Sequence, residues 1–290
     1  MKNYLKLFRV KHYVKNLLIF LPILFSGNLL NKDLFTACLI SFISFCLIAS
    51  SVYVFNDIQD VEKDKLHPVK KNRPIASGKI TIKKAYITFI LLIISSLLIE
   101  FITYKINLIS KDTLIKASLC LIFYLLLNIF YSKKGKHIPI LDMIILSLGF
   151  LIRVYFGGFI IDAKISSWLY LTILSFSLYL VIGKRRGEFI KNKKSRPVLK
   201  YYSKEFLDKM MSIFLGLTIA FYSLWCIFGA NVPNDPLLIS IIILIFIIMK
   251  YSLIVEKDSL ADPVDVLLSD KILIISSIFY VIYIGGVLYV

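Results

Sequence analysis

The chain has 290 residues, of which 58% are apolar and 18% charged, with a mean hydropathy of +0.80. Soluble domains run at roughly 45–50% apolar and about 25% charged, so the composition excludes an ordinary water-soluble domain and points to an all-α integral membrane protein. Lys and Arg number 35 against 18 Asp and Glu, a net charge of +17; the positive-inside rule accounts for that excess without nucleic acid as a partner.

Apolar runs of about 17–25 residues predict nine transmembrane helices in a single polytopic domain, near 13–30, 34–55, 84–103, 114–131, 138–160, 167–183, 207–229, 236–253 and 271–289. The first follows Lys2, Lys6, Arg9, Lys11 and Lys15, as in the basic start of a signal peptide, but no small-residue cleavage site follows Leu17–Leu30, so a retained span is expected. Five segments (the start of the chain, 56–84, 132–137, 184–209 and 250–271) hold 29 Lys and Arg, and the alternate loops hold five. That bias places the N-terminus and both long loops, Asn56–Lys84 and Lys184–Phe206, on the cytoplasmic side of a cell membrane, with the active site facing the cytoplasm. The long loops lie four spans apart, a weak pseudo-repeat. Cys38, Cys46, Cys120 and Cys226 all fall inside apolar runs without metal-ligand spacing, and read as small buried hydrophobes. His12, His67 and His137 form no cluster.

The second span ends in Asn56-Asp57-Ile58-Gln59-Asp60-Val61-Glu62-Lys63-Asp64. On a continuous helix, at about 100° per residue, Asp57, Asp60 and Asp64 share one stripe, bordered by Asn56. An acidic helix C-terminus opposes the macrodipole, and carboxylates on one stripe repel unless cations lie between them. A solvated helix end is the plain alternative; the stripe favours a Mg²⁺ site, since that ion takes one or two carboxylates and leaves positions for water and phosphate oxygens.

Asn-Asp-x-x-Asp-x-x-x-Asp at the end of the second span, followed by Lys70-Lys71-Asn72-Arg73-Pro74-Ile75-Ala76-Ser77-Gly78, resembles the UbiA-type prenyltransferase superfamily. The resemblance implies a UbiA-like helical bundle and Mg²⁺-diphosphate binding. In the prenyl-transferring branch the loop after span six carries a second Asp-rich motif; here that place reads Gly183-Lys184-Arg185-Arg186-Gly187-Glu188. Lys184 and Glu188 stand i,i+4 on one helix face, flanked by Arg185, while Arg186, Lys191, Lys193, Lys194 and Arg196 read as ordinary loop charge.

Gly-Lys-Arg-x-x-Glu is similar to the decaprenyl-phosphate phosphoribosyltransferase branch. So are Lys11-His12-Tyr13-Val14-Lys15-Asn16, the series Tyr131-Ser132, Lys136, Asp142, Arg153 and Gly157-Gly158, and Asp262-Pro263-Val264-Asp265 with Asp270. The chain departs from that pattern at His12 and Gly135, in place of Gln and Leu. Asp142 and Arg153 lie inside an apolar run eleven residues apart, too far along the axis to pair, so each needs a partner on another helix.

The branch resemblance implies transfer of a 5-phosphoribosyl group from 5-phosphoribosyl 1-diphosphate to a polyprenyl phosphate lipid, a step that supplies cell-wall precursors. Asn56, Asp57, Asp60 and Asp64 are the expected catalytic and metal residues. Lys11, Lys15, Arg73, Tyr131, Lys136, Asp142, Arg153, Lys184, Arg185 and Glu188 are the expected substrate contacts. The alternatives are prenyl transfer from a prenyl diphosphate to a small or aromatic acceptor, and a non-enzymatic transporter, which leaves the acidic stripe without a task. A homo-oligomer is left open.

Overall fold

In the computed structural model the described residues are 2–191, 196–230, 234–258 and 262–289. Lys193 and Lys194 lie outside them. Eight described helices are long and apolar enough to cross a membrane. In chain order the α-helices are α1 (Lys2–Phe8), α2 (Leu21–Phe25), α3 (Lys32–Gln59), α4 (Val61–Lys65), α5 (Ile82–Lys105), α6 (Lys111–Lys133), α7 (Leu141–Ile160), α8 (Ser167–Lys191), α9 (Lys204–Phe228), α10 (Asn234–Asp258), α11 (Pro263–Ser269) and α12 (Lys271–Tyr289). No strand occurs among the described residues.

The expected first span, 13–30, is not one of the eight. Its place is taken by a 3-10 helix, Val10–Phe20, and the five-residue α2. Arg9 enters the left-handed region (φ 53°, ψ 49°) just before the 3-10 helix, and Pro22, which has no N–H to give, stands in the first turn of α2. The other eight expected spans coincide with α3, α5–α10 and α12, most of them longer than the apolar runs alone.

The extra length matters for the site. At about 1.5 Å per residue the 28 residues of α3 reach roughly 42 Å, against a hydrocarbon core of about 30 Å. Capped at Asn31, whose side chain accepts from the Asp33 and Leu34 N–H groups, α3 carries its last turns, with Asn56 and Asp57, past the apolar layer. The 25 residues of α8 likewise reach roughly 38 Å, with Lys184–Glu188 near its C-terminal end.

The chain divides into two compact units: Met1–Ile23, Asn28–Gly135 and Ile152–Ala163 form the first, and Leu24–Gly27, Lys136–Leu151 and Lys164–Val290 the second. In the first, α3 packs on α5, α6 and the 3-10 helix around Phe45, Ile48, Leu121, Tyr124 and Phe156. Small residues let α3 and α5 come close: Ser44 and Ser96 each donate to the other's carbonyl at 2.9 Å. Such paired hydroxyls join helices where lipid offers no hydrophobic drive. A second small core (Leu7, Val54, Ile58, Ile75, Ile80, Ala85) pins the basic 66–81 loop to the ends of α3 and α5. In the second unit, α8 packs on α9, and α10 on α9 and α12, around Tyr179, Leu207, Tyr251 and Val255.

Candidate active site

The acidic end of the first unit is built by a break in α3. The helix stops at Gln59, Asp60 takes φ −97° and ψ 8°, and α4 begins at Val61. The i→i−4 ladder persists across the break, with Asp60 N–H on Asn56 O at 3.0 Å and Asp64 N–H on Asp60 O at 2.8 Å. Two of the three carboxylates of the expected stripe meet on one guanidinium. Asp57 and Asp64 are each 3% exposed, and Arg73 donates from Nη1 to Asp57 Oδ1 at 3.1 Å and to Asp64 Oδ2 at 2.6 Å. Asp60 stands at the break, half-buried. Among the described residues no three acidic, His or Cys side chains form a metal-sized group.

Arg73 reaches the pair because its loop is anchored on its far side. Ile75 and Ile80 are buried at 4% and 3% exposure, the turn between them uses Gly78 at φ +75°, and Ile80 N–H closes on Pro74 O at 3.0 Å. Arg9 adds a second guanidinium, donating from Nη2 to Asp57 Oδ1 at 2.5 Å. Asn56 accepts from Ser132 Oγ, at the end of α6, and the adjacent Tyr131 is buried. Lys11 is exposed and Lys15 half-buried on the 3-10 helix.

A second polar group in the same unit surrounds Arg153, 5% exposed. Its Nε donates to Asn16 Oδ1 at 2.7 Å and its Nη2 to Tyr124 OH at 3.0 Å, while the guanidinium lies 5.1 Å from the ring centroids of Phe45 and Tyr124. Asn16 in turn donates to Cys46 Sγ at 3.1 Å. The 3-10 helix can place Asn16 there because α7 presents Gly157, where a Cβ would lie 2.0 Å from the Ile19 carbonyl oxygen.

The second unit holds the basic motif. Arg185 is fully buried: its Nε donates to Asp142 Oδ2 at 2.6 Å and its Nη1 to Glu188 Oε2 at 2.7 Å. Arg196 donates to the same Glu188 oxygen at 2.7 Å, and Tyr202 OH donates to Asp142 Oδ1 at 2.7 Å. Burial, and next its bond to Asp142, raises the Tyr202 pKa, so the phenol keeps its proton. Tyr202 also accepts the N–H of Ile140 at 2.6 Å; this β-branched residue holds a left-handed φ of 66°, a conformation that needs outside support. Lys184 donates to Asp262 Oδ2 at 2.9 Å, and Asp262 Oδ1 caps α11 at Val264 N–H, 3.1 Å.

Several expectations change. Asp142 and Arg153 do take partners on other elements. Lys184 donates to Asp262, the N-cap of α11, and Glu188 accepts from Arg185 and Arg196. Arg186, expected in the loose loop charge, is 7% exposed and paired with Asp208 of α9. Lys136 is half-buried in a 3-10 turn of the second unit. Arg9, Asn16, Tyr124, Tyr202 and Asp262 were not among the expected contacts; for Asn16 and Asp262 the signal was their place in quoted motifs, and for Arg9 there was none beyond charge. All four cysteines are free, and Cys38, Cys46 and Cys226 are buried as expected.

The UbiA prenyltransferase family model matches residues 18–278. Over 99% of its length the chain is 29% identical to the decaprenyl-phosphate phosphoribosyltransferase of Corynebacterium glutamicum, covering 86% of that protein. It is 28% identical to the enzyme of the same name from Mycolicibacterium smegmatis, over 98% of this chain and 92% of that one. Among solved structures, a UbiA homolog from Archaeoglobus fulgidus bound to DMAPP and Mg²⁺ superposes with a TM-score of 0.73 at 18% identity, over 99% of both chains. With eight helices fit to cross a membrane and a family match over most of its length, this chain is a multi-pass membrane protein that belongs to the UbiA prenyltransferase family.

Proposed function

We propose that the chain transfers a 5-phosphoribosyl group from 5-phosphoribosyl 1-diphosphate to a membrane polyprenyl phosphate, with release of diphosphate. The observation that carries the reading is the near full-length similarity to two enzymes named decaprenyl-phosphate phosphoribosyltransferase. The residues agree with it: where a second Asp-rich motif would stand, α8 ends in a cationic group.

The donor set of the first unit fits Mg²⁺. Asp57 and Asp64 already converge on one positive nitrogen of Arg73, and two carboxylates are what this ion takes while leaving room for diphosphate oxygens. Asp57 and Asp64 would hold the metal, with Asp60 at the break as a further carboxylate, and Asn56, fixed by Ser132, would orient a phosphate oxygen of the donor. When bound, the metal offsets charge on the diphosphate as it leaves. Arg73 binds the diphosphate, with Lys11, Lys15, Tyr131 and Lys136 as further donor contacts. Lys184, a quarter exposed, takes the 5-phosphate as a compact cation. Arg185, Asp142 and Glu188 form the buried frame that sets Lys184, and Arg153 sits in an aromatic polar group suited to the acceptor. A polyprenyl phosphate is already an anion, so the attack needs no strong general base. The N-terminus and the two long loops lie on the cytoplasmic side, where the water-soluble donor is found.

The test is turnover in detergent micelles with Mg²⁺. One arm supplies phosphoribosyl diphosphate and polyprenyl phosphate; the other supplies a prenyl diphosphate and an aromatic acid. Product is expected in the first arm only, and abolished by EDTA. Product in the second arm alone replaces this reading by prenyl transfer.

A further inference from the structure

The carboxylates of the first unit are covered by their own counter-ions. The Asp57 and Asp64 side chains are 3% and 4% exposed, while those of Arg9 and Arg73 are 25% and 27% exposed. Asp57 is thus buried while both guanidiniums that hold it keep contact with water. Arg73 lies between both acids. Arg9 touches Asp57 alone, and it does so from an unfavourable backbone: φ 53° is the left-handed region, which a residue bearing a Cβ adopts at a cost. The side chain is braced there, with its guanidinium 4.8 Å from the Tyr53 ring centroid. The strain and the bracing place one specific nitrogen, Nη2, on one specific oxygen, Asp57 Oδ1.

That oxygen is also the one a divalent cation would use, since it is the Asp57 atom that converges with Asp64 on Arg73. A cation and the Arg9 guanidinium cannot both hold it at full strength. We propose that Arg9 and the metal compete for Asp57 Oδ1, so that metal entry releases Arg9 to the donor diphosphate and the two ligands bind as a coupled pair. The inference rests on the metal-diphosphate role given above to Asp57 and Asp64. Its consequence is that metal alone binds weakly because Arg9 opposes it, and diphosphate alone binds weakly because Arg9 is engaged. Together each removes the other's obstacle, and the coupling is reciprocal.

The sign of one measurement separates this from a merely structural role. The full chain is purified in detergent, and Mn²⁺ binding without any anion is followed by paramagnetic resonance of the free ion. Radiolabelled diphosphate binding is then measured with and without Mn²⁺. Arg9→Gln is expected to bind Mn²⁺ alone about tenfold more tightly, equal to roughly 1.4 kcal/mol, while the gain in diphosphate affinity from Mn²⁺ shrinks by a similar factor. Arg9→Lys, which keeps the charge but not the fork, is expected between wild type and Arg9→Gln, and it serves alone if the Gln variant fails to fold. Unchanged or looser Mn²⁺ binding in the folded variant overturns the competition. Asp57→Asn identifies which statement has failed: if it binds Mn²⁺ like wild type, the metal site itself is misassigned. If it loses Mn²⁺ while the Arg9 variants do not tighten, only the competition is wrong.

Discussion

Lys184 and Arg185 are adjacent in sequence, but a helix turns successive side chains by about 100°, and the two cations end in opposite circumstances. Arg185 points inward, fully buried between Asp142 and Glu188. Removing one member of such a network leaves buried charge without compensation, at about 3–5 kcal/mol. Arg185→Gln is therefore expected to lower the thermal unfolding midpoint in detergent by many degrees, before any effect on the donor is considered. Lys184 keeps contact with water and meets the Asp262 carboxylate. In the proposed donor site its loss would remove a charge-assisted bond worth about 1.5–3 kcal/mol, so Lys184→Gln is expected to raise the donor KM by about tenfold or more with the midpoint nearly unchanged. Equal KM values for the Lys184 variant and wild type would remove Lys184 from the donor site. The sequence made both residues expected substrate contacts, yet it could not separate them, because burial depends on α7 and on Tyr202, neither of which is near in the chain.

The elements divide in the same way between what periodicity carries and what it does not. Eight long helices were legible because twenty consecutive apolar residues have few other uses. The 3-10 helix at Val10–Phe20 was not, since an apolar run reads alike at three or at 3.6 residues per turn over so short a length. The break at Asp60 was hidden for a related reason: Asn-Asp-x-x-Asp carries no proline or glycine to announce it. Gly157, in contrast, was visible only as a motif letter, and its reason is a close approach. An ordinary helix interior gains about 1 kcal/mol from Gly→Ala. Here the new Cβ would meet the Ile19 carbonyl oxygen at 2.0 Å, with Ile19 C and Cα at 2.9 and 3.1 Å. Those atoms are backbone and cannot swing aside, so the contact decides the sign. Gly157→Ala is expected to destabilise by about 1–3 kcal/mol and to loosen Asn16 from Arg153. A thermal midpoint at or above wild type would show that the 3-10 helix moves freely against α7.

For the molecule as a whole, the charge distribution carries the proposed orientation, and that orientation decides which compartment would supply the proposed donor. Twenty-nine Lys and Arg against five in the alternate loops is the bias the positive-inside rule expects of a cytoplasmic side. In the basic N-terminal stretch, Arg9 meets Asp57 at the acidic end of α3. Single cysteines test it directly in whole cells. Lys200 is exposed in the 3-10 turn Pro197–Tyr201, on the side of the cationic motif, and Asp235 is exposed at the first turn of α10, on the other. The native thiols interfere little, with Cys38, Cys46 and Cys226 buried and Cys120 half-buried. Lys200→Cys is expected to resist a membrane-impermeant maleimide until the membrane is opened, and Asp235→Cys to react at once from outside. Moving one basic segment of about ten charges across the membrane would oppose the positive-inside preference at every residue, so an intermediate pattern is not expected. If Lys200→Cys is labelled from outside and Asp235→Cys is protected, the orientation is reversed. Lys184 would then face away from the compartment that makes phosphoribosyl diphosphate, and the donor proposed for it could not be the physiological one.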